Sequence, residues 1–281
     1  MPRIGSSAHG LSRMRMLRIV RRGDRHDPRE LTVSLRFEGE FAASFREGRD
    51  DGLLPAETLK TIAYATARAH GGAEIERLAL AIADRVLSGH PAVTRVRVDV
   101  TENHWARLEA GGKPQGQAFT TGSPERRTAS VTSNGTQIAV VAGIEQLSLM
   151  GTWGFAPSAS AEREGDGAAD RLQRLVVGEL AARWTYSTGD VTFGPYRQGV
   201  RAALVDAFVW HRGHSVQQTL YAMADVVLAT YAEITSVTLA LHERLYRPAD
   251  LFSAGLENPD ELFVAVEEPM AVVEATVERE P

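Results

Sequence analysis

No cysteine occurs among the 281 residues, which excludes disulfides, thiolate metal sites, iron–sulfur clusters and cysteine nucleophiles. Lysine is nearly absent. Lys60 and Lys113 are the two lysines among 31 basic side chains, so a mechanism that needs a lysine base or Schiff base has two candidates. Arginine supplies the remainder, a bias read as GC-rich coding rather than function. No apolar run approaches the roughly 18 residues that span a bilayer; the longest lies near Ile138–Ile144. A formal charge of −5 argues against a broad nucleic-acid footprint. The N-terminal stretch Met1–Arg29 is rich in arginine and lacks the apolar core and small-residue cleavage site of a secretory signal, so the expected location is cytoplasmic. Gly-x-Ser-x-Gly, Walker A, the dinucleotide-binding glycine fingerprint and His-Glu-x-x-His are all missing.

What is present is periodic hydrophobicity at ordinary levels, 43% hydrophobic against 24% charged, enough to bury a proper core. Leu31, Val33, Leu35 and Phe37 alternate with polar residues as in a half-buried strand, with Met14–Val20 as its partner. Pro55 sits where a first helical turn begins, and Leu59, Ile62, Ala63 and Thr66 follow at helical spacing until Gly71-Gly72. Ile75, Leu78, Ile82 and Val86 form a second helical stripe. Thr94–Val100 reads as a strand, with Thr128–Val140 as its mate or the next strand.

The order then repeats. Ala182–Ser187 and Asp190–Gly194 read as short strands, and Val200–Trp210 as a helix. Val216, Leu220, Met223 and Val227 mark another helix; Val237, Leu239 and Leu241 alternate in a strand, and Leu262–Val266 with Val272–Val277 supply late strand material. Strands, two helices and strands, twice over, predict an α+β class of antiparallel sheets with paired helices, divided at residues 1–142 and 143–281. Residues 155–170 read as a surface loop. His211 and His214, three apart at a helix end, lack a third ligand nearby and are read as non-metal; no metal or other cofactor is expected.

Several segments, in order, carry more. Leu54-Pro55-Ala56-Glu57-Thr58-Leu59-Lys60 opens the first long helix; Gly112-Lys113-Pro114 and Trp153-Gly154-Phe155 follow, then Arg174 ten residues before Trp184. Ser215-Val216-Gln217-Gln218-Thr219-Leu220-Tyr221 opens a later helix, and Gly255-Leu256-Glu257-Asn258-Pro259 lies beyond it. Together these resemble the cofactor-free urate oxidase (uricase) family over nearly the whole chain. The resemblance implies two tandem tunnelling-fold (T-fold) units per chain, assembled as a barrel-forming homotetramer. It also implies a purine-like or pterin-like heterocycle held at one edge by Arg174, Gln217 and the main-chain N–H of Val216. A planar guanidinium fork and an amide complement the acceptors and donors of an oxopurine.

Other positions depart from the family pattern. The catalytic threonine is matched by Ala56 and its neighbouring aspartate by Glu57. The partner lysine is matched by Leu11, the stacking phenylalanine by Thr152, and the Asn-Lys-His run by Glu243-Arg244-Leu245. Alanine and leucine carry no titratable proton and cannot replace threonine, lysine or histidine in acid–base work. Glu243 is the first candidate for a new acid or base, with Glu57 and His242 behind it; His104 reads as structural. The preferred expectation is a diverged cofactor-free enzyme with altered chemistry on a fused heterocycle. Two alternatives stay open: a non-catalytic binding or scaffold protein, and a true urate oxidase with a shifted alignment.

Overall fold

The computed structural model describes residues 4–50, 52–153, 175–211 and 215–280. It divides into two compact units, one of Met1–Gly143 with Thr185–Pro195 and one of Ile144–Trp184 with Tyr196–Pro281. The expected loop at 155–170 lies outside the described residues.

In the first unit, β1 (Ala8–Arg22) and β2 (Arg25–Gly39) form a long hairpin; helices α1 (Ala42–Glu47), α2 (Ala56–Ala69) and α3 (Ile75–Gly89) follow. The chain continues through β3 (Val93–Asn103), a small hairpin of β4 (Ala106–Ala110) and β5 (Lys113–Thr120), then β6 (Arg126–Ser133). Strand order is β1-β2-β3-β6, antiparallel throughout. The alternation dictates the core. Leu31, Val33, Leu35 and Phe37 of β2, with Val96, Val98 and Val100 of β3, are buried, and α3 packs on β3 and β6 through Leu78, Ile82 and Val86. α2 packs on β1 and α3. Glu102 at the end of β3 accepts from Arg29 Nε at 2.6 Å and Arg127 Nη1 at 3.2 Å. Arg29 also donates to the carbonyls of Gly71 and Ala73, tying down the turn between α2 and α3.

The stretch expected as a single strand, Thr128–Val140, is broken at Asn134-Gly135. Asn134 Oδ1 accepts the N–H groups of Thr136 and Gln137, and Gly135 adopts φ 90°, so β6 ends and β7 (Ile138–Gly151) begins. β7 carries the chain into the second unit, followed by β8 (Val176–Tyr186), α4 (Phe193–Trp210), α5 (Val216–Thr230), β9 (Ile234–Pro248) and β10 (Phe263–Glu278). The expected strand at Asp190–Gly194 is instead the entry to α4. Pro195 sits in that helix's first turn, where its missing N–H costs nothing.

Within the second unit, α5 buries Leu220, Met223, Val227 and Leu228 and packs on β9 and β10. Arg279 gathers the carbonyls of Leu228, Tyr231 and Ile234 at the C-terminal end of α5, a cation placed at the negative pole of the helix dipole. Asn258 of the Gly-Leu-Glu-Asn-Pro stretch uses its whole amide. It donates to Ala249 and Leu262 carbonyls and accepts from the N–H groups of Glu261 and Leu262. That motif therefore closes its own loop. Among the described residues, no helix is long and apolar enough to cross a membrane.

Candidate functional site

β9 places the first acid–base candidate. Val237, Leu239 and Leu241 occupy alternate buried positions on this strand, and Glu243 and Leu245 continue that alternation toward its open end. Glu243 is half-buried, and burial raises its carboxyl above the ordinary carboxylate range. His242 and Arg244 fall on the other alternation and are exposed; Arg244 pairs with Glu179 of β8. His242 thus stands apart from Glu243.

Two backbone features adjoin this strand end. Opposite Arg244, β10 bulges: Glu243 pairs with Ala271 and Leu245 with Val266, so four residues of β10 face one of β9. On the other side Gly178 of β8 is obligatory, because a Cβ there would lie 2.6 Å from the His242 carbonyl oxygen. Neither feature is legible in periodicity. The bulge has one sequence signal, Pro269 inside an otherwise regular strand.

The N-terminus of α5 carries Val216 and Gln217, the residues expected to recognise a heterocycle. Ser215 Oγ accepts the Gln218 N–H at 3.2 Å, the N-cap arrangement expected of serine. Val216 is buried and Gln217 exposed. As a first-turn group, the Val216 N–H has no acceptor within the helix, at its positive end. Val216 and Leu241 line one apolar cavity with Trp153, Phe208, Leu180 and Met223. Trp153 turns inward against Phe208, ring centroids 5.2 Å apart, over Gly151, where any Cβ would meet its ring at 2.7 Å. Thr152 is left exposed at the end of β7. Of the candidate residues only Val216 lines this small cavity; Thr152, Gln217 and Glu243 do not, although their chain neighbours Trp153, Val216 and, two residues along β9, Leu241 do.

The remaining candidates belong to the first unit. Ala56 and Glu57 are the first residues of α2 and both are exposed; Glu57 pairs with Lys60 of its own helix at 2.7 Å. That carboxylate raises the Lys60 ammonium above its ordinary value, chiefly through the hydrogen bond. Leu11 of β1 pairs with Leu35 and is half-buried. Arg174 and His214 lie outside the described residues. Among the described residues, no three His, Asp or Glu side chains gather into a metal-holding group.

Known proteins of one family resemble the chain over most of its length. The family model described as Uricase matches residues 7–132 and 168–274, stretches that include Ala56, Arg174, Gln217 and Glu243 and exclude Thr152. A uricase of Arthrobacter globiformis is 29% identical over 277 residues, covering 99% of this chain and 90% of that protein. A uricase of Danio rerio is 26% identical over 281 residues, covering 98% and 94%. The crystal structure of the Arthrobacter globiformis uricase superposes with a TM-score of 0.89 over 100% of this chain and 96% of that one. That of a Bacillus fastidious uricase, 15% identical, shares the fold with a TM-score of 0.78 over 97% and 93%. With two tandem α+β units and a family match over most of its length, the chain belongs to the uricase family.

Proposed function

We propose that this protein binds a purine-like or pterin-like fused heterocycle and modifies it without a cofactor, by chemistry other than efficient urate oxidation. Arg174, Gln217 and the Val216 N–H grip the heterocycle edge, and Glu243 exchanges the proton. The carrying observation is Glu243: a half-buried carboxyl raised by desolvation, two residues along β9 from Leu241, which lines an apolar cavity with Val216. An acid whose protonation lies nearer the working pH exchanges protons more effectively in a transition state. The family's proton relay has no counterpart at Ala56, Leu11 and Leu245, since none of these side chains titrates.

Assembly belongs to the same reading. β1 and β10, of 15 and 16 residues, are edge strands of their respective units. Long edges invite pairing with another copy, and four chains closing into a barrel would satisfy them.

The test follows urate absorbance and oxygen uptake with the purified protein. Loss of a general acid–base group typically lowers rate by about 10²–10⁴, and relay members fail together rather than additively. Urate turnover is therefore expected to fall at least that far below an ordinary uricase. Rapid consumption of both urate and oxygen overturns the reading and restores the true urate oxidase. If a heterocycle screen identifies another reaction, Glu243→Gln abolishes it while leaving affinity nearly intact.

A further inference from the structure

The strand face of the first unit turned away from its helices carries a second cluster of chemistry. Burial of Val33, Val100 and Ala129 on the helix side leaves Thr32, Thr101 and Thr128 facing the other way. The register aligns Arg15, Thr32, Thr101 and Thr128 in one cross-strand row, with Glu30, Asn103 and Arg126 in the next. A depression of about 240 Å³ is lined by Arg13, Arg15, Thr32, Thr101, Asn103 and Arg126. It presents three guanidiniums, two hydroxyls and an amide, and no carboxylate.

Two nearby acids are already partnered, Glu30 in part by the cluster itself. Glu30 accepts from Trp105 Nε1 at 3.0 Å and from Arg15 at 3.4 Å, and Asp99 holds Arg97 at 3.0 Å. Among the described residues Arg13 and Arg126 have no carboxylate partner. Arg15 thus shares Glu30 as its counter-ion, while Arg13 and Arg126 bring two charges without one.

Backbone conformation adds an independent observation. Arg13 has φ 59° and lies in a bulge where Ser12 and Arg13 together face Ser34, whose Oγ accepts the Arg13 N–H at 3.0 Å. The extra residue lets Leu11 and Met14, three apart, both pair with buried positions of β2, while Arg13 and Arg15 share the open face. A left-handed arginine is unfavourable, and such conformations cluster at binding sites.

We infer that this face binds an oxyanion of the phosphate class, either free or as the phosphoryl group of a nucleotide. Three guanidiniums suit a multiply charged acceptor with several oxygens, and the arginine fork matches it bidentately. A small anion is favoured over a nucleic acid strand by the net charge of −5. An adjoining depression that shares Asn103 and Arg126 and includes His104, Ser123 and the carboxylate of Glu125 gives room for the uncharged remainder of a nucleotide.

The test is calorimetric titration of the full chain with inorganic phosphate at low ionic strength. One site per chain is expected, and Arg13→Ala or Arg126→Ala should weaken it about tenfold or more, as for loss of a charge-assisted contact. Arg85→Ala, which removes an exposed charge from α3, and Arg174→Ala, at the heterocycle site, should each leave it within about twofold. If Arg126→Ala melts below the assay temperature, Arg126→Lys replaces it; charge is kept, the fork is lost, and several-fold weakening is expected. Tighter binding of a purine nucleoside monophosphate than of phosphate identifies a nucleotide, and equal binding identifies phosphate itself. Absence of binding, or equal weakening by Arg126→Ala and Arg85→Ala, overturns the site as diffuse charge. Loss of phosphate binding in Arg174→Ala places the anion at the heterocycle site and also overturns it.

Discussion

Replacing Glu102 by glutamine tests how the first unit holds α2, the helix whose N-terminus carries Ala56 and Glu57. The Glu102 side chain is 10% exposed, that of Arg29 19% and that of Arg127 34%. Glutamine preserves shape and leaves one acceptor oxygen, but two guanidiniums lose their shared counter-charge. Removing one partner of a buried pair outright costs about 3–5 kcal/mol; because glutamine still accepts one hydrogen bond and Arg127 reaches water, about 1.5–3 kcal/mol is expected, the range of a single charged hydrogen bond. The assay is urea unfolding, with a lower midpoint and unchanged slope. Amide exchange adds a local readout. Arg29 also holds the Gly71 and Ala73 carbonyls, so protection in the α2–α3 turn should fall first. A midpoint change worth less than about 0.5 kcal/mol, the size of a surface substitution, would refute the view that Glu102 organises this connection.

Three further outcomes are expected. Gly178→Ala forces a Cβ against the His242 carbonyl and should cost about 1–3 kcal/mol, as overpacking does; Gly5→Ala, with nothing within 4 Å of its Cβ position, should be neutral in the same thermal melt. In ligand titrations of the heterocycle site, Arg174→Ala should lose about 2–4 kcal/mol and Gln217→Ala about 1–2 kcal/mol, because a charged partner contributes more than a neutral one; equal affinity for wild type and Arg174→Ala would move the site. For Glu243 the folded carboxyl titrates above its unfolded value of 4.5, so its contribution to stability is fully present below 4.5 and is lost as pH rises through the folded value. Glu243→Gln should therefore gain stability relative to wild type as pH rises above 4.5, until the folded carboxyl has ionised, and a difference in urea midpoints that does not change with pH on crossing that range would contradict the desolvated placement.

Much of the fold is legible because burial imposes a period. Leu31 to Phe37 and Val96 to Val100 alternate and are strand interiors; Leu78, Ile82 and Val86 follow the helical spacing and form the seam of α3. Errors fall where local chemistry overrides period. Asn134-Gly135 breaks a run that hydrophobicity alone carries onward, and Gly194-Pro195 opens a helix where alternating residues suggest a strand. The Gly-Leu-Glu-Asn-Pro stretch is distinctive because one asparagine amide satisfies four backbone groups of its loop. Its distinctiveness is structural.

The site is legible in a different sense. Residue identities at Ala56, Leu11 and Leu245 exclude acid–base roles before any geometry is considered, since the chemistry is missing from the side chains themselves. Where a carboxylate will be half-buried is not a property of its sequence neighbours. Glu243 and His242 are adjacent and both titratable, and a period of two sends them to opposite faces. Glu243 continues the positions of Leu239 and Leu241, so the hydrophobic register that builds the core also carries the carboxyl into partial burial and raises its pKa. A shift of that register by one residue would bury His242 and expose Glu243. The close approach of Gly178 to the His242 carbonyl and the bulge opposite Arg244 flank the strand at this setting, which makes them the backbone features to test as determinants of which side chain is half-buried.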